Sequence, residues 1–465
     1  MASFGHFLRI MRVLTGRRVI YTNESEITKN NILDVLNDAL ITHAINADEI
    51  EYLYQYYKGK QPILERIKQE RPEICNKIIE NRANEIVSFK VGYLFGEPIQ
   101  YINRSNESKI DDINRLNDYA FIESKSAKDK ELGEWQHICG TSYRIVLPNP
   151  NFDDDYDESP FEIYTLDPRN TFVVYSNDLE KKPLMGVTYK QNVANGIRTY
   201  SCYTENSFFI IFSDGRIFEE EHSLKNIPII EYPLNNARLG AFEIVLPLLD
   251  AINDVESNRL DGVEQFIQSL LVFKGVDIDS EEFASLRENG GLKIPIDADV
   301  DYLVQELNQS QTQELQDNLY QSVLTICGMP NRNGGNSTSD TGSAVIMRDG
   351  WSSAEARAKD TEEMFRKSEK QFLKIVLNIT RKFNILDLAL RDIEIRFTRR
   401  NYENILEKSQ VLITMLNNPK IHPELAFAHC GMFSDPSEAY MKSMEYFDAN
   451  KGEEETPEVK IDSIA

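Results

Sequence analysis

Pro247-Leu248-Leu249-Asp250-Ala251-Ile252-Asn253-Asp254-Val255-Glu256-Ser257-Asn258-Arg259-Leu260-Asp261-Gly262-Val263-Glu264-Gln265-Phe266-Ile267-Gln268-Ser269-Leu270 is the stretch from which the rest of the chain can be read. Proline suits a first helical turn, where its missing N–H leaves no bond unmade. Leu248, Ile252, Val255, Leu260, Val263, Ile267 and Leu270 recur about every 3.5 residues, which predicts a helix with one apolar face. Asp250, Asp254, Ser257, Asp261, Glu264 and Gln268 mark a second, acidic stripe. A shorter helix follows with Leu315, Leu319, Val323 and Ile326 on one side and Glu314, Asp317, Asn318 and Gln321 on the other, stopping at Gly328 and Pro330. Between the two, Leu271–Lys274, Ser280–Glu288, Leu292–Pro295 and Tyr302–Val304 predict a small knob of strand, short helix and strands. Asn331-Arg332-Asn333-Gly334-Gly335-Asn336-Ser337-Thr338-Ser339-Asp340 is too polar and glycine-rich for a core and predicts a loop. From Ser343 to Phe383 a helical pattern runs without proline, with Phe365, Phe372, Val376, Ile379 and Phe383 on its seam. A helix of that length needs another surface to bury against.

Upstream, Ile32, Leu33, Leu36, Leu40 and Ile41 place a helix over 28–57, closed by Lys58-Gly59-Lys60-Gln61-Pro62. Helices are predicted over 83–94 and 110–140. From 141 to 233 the texture changes to β-type runs, among them Tyr143–Leu147, Phe161–Leu166, Thr171–Tyr175, Gly186–Lys190 and Phe208–Phe212, with Ser213-Asp214-Gly215-Arg216 as a hairpin turn. Downstream, Ile393–Phe397 alternates as a strand, helices are expected near 402–417, 422–430 and 435–448, and Glu453-Glu454-Glu455 opens a solvated tail.

The totals exclude several classes. A chain of 465 residues with a formal charge of −24 lacks the basic surface of a protein that grips nucleic acid, though an acidic wall can line a passage that DNA crosses without sticking. The five cysteines are scattered and never form a CxxC pair, which argues against a disulfide framework and a zinc ribbon. His422, His429 and Cys430 have no carboxylate partner to complete a metal site, and Asp153–Glu158 lacks the spacing of a calcium loop. Phe7–Leu14 is interrupted by Arg9 and Arg12, so it reads as an amphipathic arm or a frayed end and not as a signal peptide. No apolar run reaches membrane-spanning length.

Asp340-Thr341-Gly342-Ser343-Ala344 matches the signature around an aspartic-protease carboxylate. That chemistry needs two such carboxylates sharing a proton. Here there is one copy, it follows polar residues where an apolar strand is required, and it leads into a helix that Asp340 or Thr341 can cap. No GxxxxGK[ST], GxSxG or dinucleotide fingerprint occurs. The expectation is a chain with no catalytic residues, no cofactor and no metal.

Four stretches, in this order, resemble the portal proteins of tailed bacteriophages, specifically the family of long-tailed phages of Gram-positive hosts: Tyr56-Tyr57-Lys58-Gly59-Lys60-Gln61-Pro62-Ile63-Leu64; Asn84-Glu85-Ile86-Val87-Ser88-Phe89-Lys90-Val91-Gly92-Tyr93-Leu94-Phe95-Gly96-Glu97-Pro98-Ile99; Leu166-Asp167-Pro168-Arg169-Asn170-Thr171-Phe172-Val173-Val174-Tyr175; and Thr341-Gly342-Ser343-Ala344. The resemblance spans about 25–450 and implies an α+β portal-type fold. Its parts would be an N-terminal arm (1–24), an α/β wing (25–243), stem helices (244–270 and 311–329), a small α/β clip (271–310), a tunnel loop (330–342), a long helix crossing the wing (343–398), a helical crown (399–450) and an acidic tail (451–465). It implies a dodecameric ring at the capsid vertex, assembled in the host cytoplasm. Double-stranded DNA would pass through it during packaging and ejection without sequence readout. Its partners would be the terminase large subunit, then the head–tail adaptor, with the major capsid and scaffold proteins around it and no membrane. Asp250, Asp254, Asp261 and Glu264 would line the tunnel. Arg332, Asn333, Gly334, Gly335, Asn336 and Ser337 would lie near DNA, with Arg332 the main cation there. Asp279, Glu281, Glu282, Arg287 and Lys293 would meet terminase or adaptor. The alternatives are another phage head–neck ring protein or a DTG-type protease.

Overall fold

β-branched and aromatic residues crowd 141–233, and there the chain builds two antiparallel layers. The computed structural model describes residues 16–69, 71–104, 109–153, 158–191, 196–267, 270–274, 299–303, 309–331, 350–399, 405–433 and 436–450. In chain order the elements are β1 (Ile20–Thr22), α1 (Ile32–Tyr57), α2 (Arg82–Leu94), β2 (Gln100–Asn103), α3 (Ile110–Ile122), α4 (Lys125–Cys139) and strands β3 (Thr141–Pro148), β4 (Phe161–Leu166), β5 (Thr171–Ser176), β6 (Pro183–Gln191), β7 (Arg198–Tyr203), β8 (Ser207–Phe212), β9 (Ile217–Glu221) and β10 (Ile229–Pro233). They continue as α5 (Leu246–Ile267), β11 (Leu270–Lys274), β12 (Asp299–Leu303), α6 (Gln309–Cys327), α7 (Trp351–Lys382), β13 (Ile393–Arg396), α8 (Ile405–Leu416), α9 (Pro423–Cys430) and α10 (Pro436–Asn450).

The larger sheet runs β1-β5-β6-β7-β8-β9. All its pairings are antiparallel except β1, which joins β5 in parallel with Ile20 opposite Val174. Strand β1 is too short to show a period of its own, and a partner some 150 residues away supplies its register, so the sequence reading missed it. Helix α1 covers this sheet, burying Ile32, Val35, Leu36 and Ala39 against Phe172, Val174, Val187 and Phe209. A second sheet, β10-β3-β4, packs on α7, and β13 pairs with β2.

Helix α7 differs from its expected span. Gly350, at φ +83°, stands in the left-handed region immediately before Trp351, which no residue inside a right-handed helix adopts, so the described helix opens there. Residues 343–349 lie outside the described residues. From Phe365 to Thr380 the helix is buried on nearly every side, including Phe372, Leu373, Ile375, Val376, Leu377 and Ile379, while Phe383 is 43% exposed and leaves the seam. Its burial partners come from the same chain: the Phe365 ring lies 4.8 Å from Tyr232 and 5.1 Å from Phe95.

The expected 110–140 helix is two helices. Ser124, at φ +52°, breaks it, and the turn carries Lys125 inward. Lys125 Nζ reaches Asp129 at 2.7 Å and Glu369 of α7 at 2.8 Å. Arg144 of β3 pairs with Asp129, and the Tyr101 and Tyr232 hydroxyls donate to Glu369 at 2.6 and 2.8 Å. Two buried cations thus face two buried anions, with both phenols satisfied, and the knot fixes α7 to β2, β3, β10 and α4. Burial opposes charge on Asp129, but the Lys125 and Arg144 charges win and hold its carboxyl below the usual range.

Candidate functional site: a two-helix stem strapped to the wing

Helices α5 and α6 stand side by side. Phe242, Val245, Leu246, Leu249 and Ile252 share a core with Val323, Leu324, Cys327 and Met329, and α1 contributes Ile50, Leu53 and Tyr56. The same helix α1 therefore underlies the large sheet and the base of the stem. Lys90 of α2 donates to the Cys327 carbonyl at 2.8 Å, a cation placed at the C-terminal end of α6 where the helix dipole favours it. Burial nevertheless lowers the Lys90 pKa. At the entry to α5, Arg17 bonds Glu243 at 2.6 Å and Glu49 at 3.2 Å, all three side chains closed to solvent. Burial pushes Glu243 up to about 7, against the opposing pull of the Arg17 charge and the Gly240 N–H.

One face of α5 is held by a ladder of side chain to main chain. Asn253 Oδ1 accepts from the Glu80 N–H at 2.8 Å, Ser257 Oγ from the Ile78 N–H at 2.9 Å, and Asp261 Oδ1 from the Asn76 N–H at 2.7 Å. The geometry matches without adjustment: four residues of helix rise about 6 Å, and two residues of extended chain span about 6.6 Å. Each rung advances α5 by four residues and steps the strap back by two. Asn253 also donates to Gln61, which in turn donates to Asn81 at 3.1 Å. Asp261 takes Arg66 and Lys68, each at 3.0 Å. We term 61–80 the strap.

The other flank of α5 belongs to α6. Arg259 donates to Gln313 at 2.8 Å. Helix α6 is tied back to the wing by Gln316 to Glu80 and Tyr320 to Glu85, both 2.8 Å, with the Arg82 guanidinium 4.1 Å above the Tyr320 ring. Its outward stripe, Gln311, Glu314, Leu315, Asn318, Ser322, Thr325 and Ile326, is exposed.

The acidic stripe read from the sequence divides by environment. Asp254 is exposed. Glu264 is half-buried. Asp250 accepts from the Tyr56 hydroxyl at 2.9 Å, and burial together with that carboxylate raises the Tyr56 pKa. Asp261 is turned onto the strap and is 3% exposed. Burial works to raise its pKa, but the bonds from Asn76 and Lys68 and the charge of Arg66 lower it overall. The rungs Asn253 and Ser257 were not singled out as functional. Their only signal was a run of short polar residues at i, i+4 and i+8 with Asp261, which also fits a solvated face. Arg332, Asn333, Gly334, Gly335, Asn336 and Ser337 lie outside the described residues, as do Asp279, Glu281, Glu282, Arg287 and Lys293 and the Asp340-Thr341-Gly342 motif. Of the clip, β11 and β12 are described, paired antiparallel with Leu270 opposite Leu303.

Among the described residues no group of three or more His, Cys, Asp or Glu is disposed to hold a metal ion, and no helix is long and apolar enough to cross a membrane. His422 caps α9, its Nδ1 accepting from the Glu424 N–H at 3.3 Å, and Cys430 is buried.

A stem of paired helices set in a mixed wing defines a class, and comparison names it. The chain belongs to the phage portal protein family of the SPP1 Gp6-like kind, whose model matches residues 39–456. It is similar to the portal protein of Bacillus phage SPP1, 22% identical over 380 residues that cover 76% of this chain and 72% of that one. Among solved structures it is similar to a chain of the virion of a native gene transfer agent particle, with a TM-score of 0.46, 11% identity and 83% of this chain and 94% of the other covered. A chain from the neck of an empty particle of that agent gives 0.41, 12%, 75% and 90%. Membership of the portal family makes this chain a ring component of the phage head vertex with a structural, non-enzymatic role.

Proposed function

We propose that twelve copies close into a ring whose central tunnel is lined by the stem, and that double-stranded DNA passes through it during packaging and ejection. The observation that carries the reading is the pair α5–α6, flanked by the wing on one side and presenting an acidic, solvent-open edge on the other. Asp254 sits on that edge and Glu264 near it, and repeated around a ring they form stacked circles of negative charge. Phosphates are repelled from such a wall, so the duplex slides without a preferred resting place. Asp250 and Asp261 act from behind, holding α5 to α1 and to the strap. In this assignment 25–243 is wing, 244–270 and 311–329 stem, 271–310 clip, 330–342 tunnel loop, 343–398 the long helix with its return, and 399–450 crown. The clip, through Asp279, Glu281, Glu282, Arg287 and Lys293, meets the terminase large subunit and later the head–tail adaptor. The loop from Arg332 to Ser337 lies closest to DNA. Major capsid and scaffold proteins surround the wing, and assembly takes place in the host cytoplasm.

Mass photometry with negative-stain imaging tests the ring. Twelve copies of a 53.6 kDa chain give a particle of about 0.64 MDa with a central hole. A compact two-fold dimer overturns the reading.

A further inference from the structure

The strap and α6 grip α5 from opposite flanks. At 100° per residue, Asn253, Ser257 and Asp261 point roughly 150° away from Ile252 and Arg259, which face α6. The stem of one subunit is therefore layered strap, α5, α6, and its two outer faces differ. On the strap, Ile67 is 86% exposed and Leu64 44% exposed, with Lys58, Lys60 and Lys77 open to solvent around them. Residues 58–82 hold seven Lys or Arg against four Glu, a basic island in a chain of charge −24. On α6, Leu315 is 49% exposed between the exposed Glu314 and Asp317.

The two faces lie at one level. Arg259 of α5 bonds Gln313 on the α6 side, and Asp261, two residues on, bonds Arg66 and Lys68 on the strap side. Ile67 and Leu315 therefore occupy the same height on opposite sides of the same helix. A closed ring is built from heterologous contacts, in which one face of a subunit meets a different face of the next, and a cyclic rotation carries no shift along its axis. An apolar pair inside a basic rim, opposite an apolar residue inside an acidic rim, at equal height, is what such a contact requires.

We propose that the strap of each subunit seats the α6 face of its neighbour, Ile67 and Leu64 against Leu315, with Lys60 and Lys77 opposite Glu314 and Asp317. The occupant is a second copy of this chain, and the inference rests on the ring reading. The strap then has two jobs: its main-chain N–H groups hold the subunit's own α5, and its outward side chains hold the next subunit's α6. The tunnel edge of α5, with Asp254, is left free between them.

Disulfide trapping tests the contact. Within one chain Ile67 and Leu315 are separated by the thickness of α5, about 10 Å, whereas a disulfide needs Cα atoms within roughly 7 Å, so any bond formed joins two subunits. In a Cys75→Ser background, the Ile67→Cys/Leu315→Cys and Leu64→Cys/Leu315→Cys chains are oxidised and run without reductant, beside each single variant. The expected result is a ladder of covalent oligomers reaching the full ring for at least one pair and none for the singles. Mass photometry of the same samples separates the two ways of failing. Rings of full mass with no ladder from either pair overturn the contact and leave the ring standing. A wild-type chain that never forms a ring overturns the ring and the contact together. As a second reading, Ile67→Asp raises the concentration needed for ring formation at least tenfold, while Leu179→Asp, a 98% exposed residue on the β5–β6 turn, leaves it unchanged. Equal behaviour of the two variants overturns the proposal.

Discussion

Glu369 is the residue on which α7 depends most. It is fully buried, and it answers Lys125, Arg144 and two tyrosine hydroxyls at once. Glu369→Leu leaves two buried cations facing Asp129 alone and removes the acceptor from both phenols. Breaking such a group from one side costs about 3–5 kcal/mol, so the urea midpoint is expected to fall by that amount with the slope unchanged. Two other carboxyls pull the pH dependence in opposite directions. The Asp261 pKa is lowered in the fold, so its contribution is complete above the ordinary carboxylate value of about 3.9 and is lost as pH falls through the folded value. Glu243 is raised to about 7, so the folded state favours its protonated form, and its contribution declines as pH rises from about 4.5 to about 7. Urea unfolding between pH 5 and 8 should therefore show a decline that Glu243→Gln removes and Asp261→Asn does not. None of these partners is adjacent in sequence, so composition and periodicity gave no hint of the knot or of Glu243.

Elements show where local pattern is sufficient and where it fails. The apolar spacing of α1, α2, α5, α6 and α9 is strong enough that their positions could be read directly, and the β texture of 141–233 likewise. Boundaries set by a single backbone angle could not. Ser124 and Gly350 each take a positive φ that the surrounding helical pattern conceals. Gly350→Ala forces a side chain into the left-handed region and is expected to cost about 1–2 kcal/mol, seen as a lower thermal midpoint. The ladder on α5 is the clearest miss, because its short polar side chains find their partners in a segment with no regular structure of its own. Ser257→Ala strips the acceptor from the Ile78 N–H. An orphaned buried donor costs about 1–3 kcal/mol, and hydrogen exchange at Ile78 should accelerate while amides in the large sheet keep their protection.

At the scale of the whole molecule, function is a property of the ring and not of any reactive group. The tunnel reading predicts that Asp254→Lys leaves the ring mass unchanged, because that side chain is solvent-open in the subunit, and reduces the DNA packaged per head. The deficit should shrink as salt is raised, since screening weakens a cation's hold on phosphate. A variant that packages normally at low salt places Asp254 away from the duplex.

By itself the sequence determined the class. Two amphipathic helices around a small β-containing knob, a long proline-free helix and a β-rich stretch before them follow from periodicity, which is local, and the order of those parts carried the family. Tertiary structure decided which acidic residues on α5 are open and which are already used, because that depends on the strap arriving alongside from nearly two hundred residues earlier. It also decided what covers α7 and that the stem has two unlike flanks at one height. Those are relations between distant segments, and a hydrophobic period carries no information about which segment meets which.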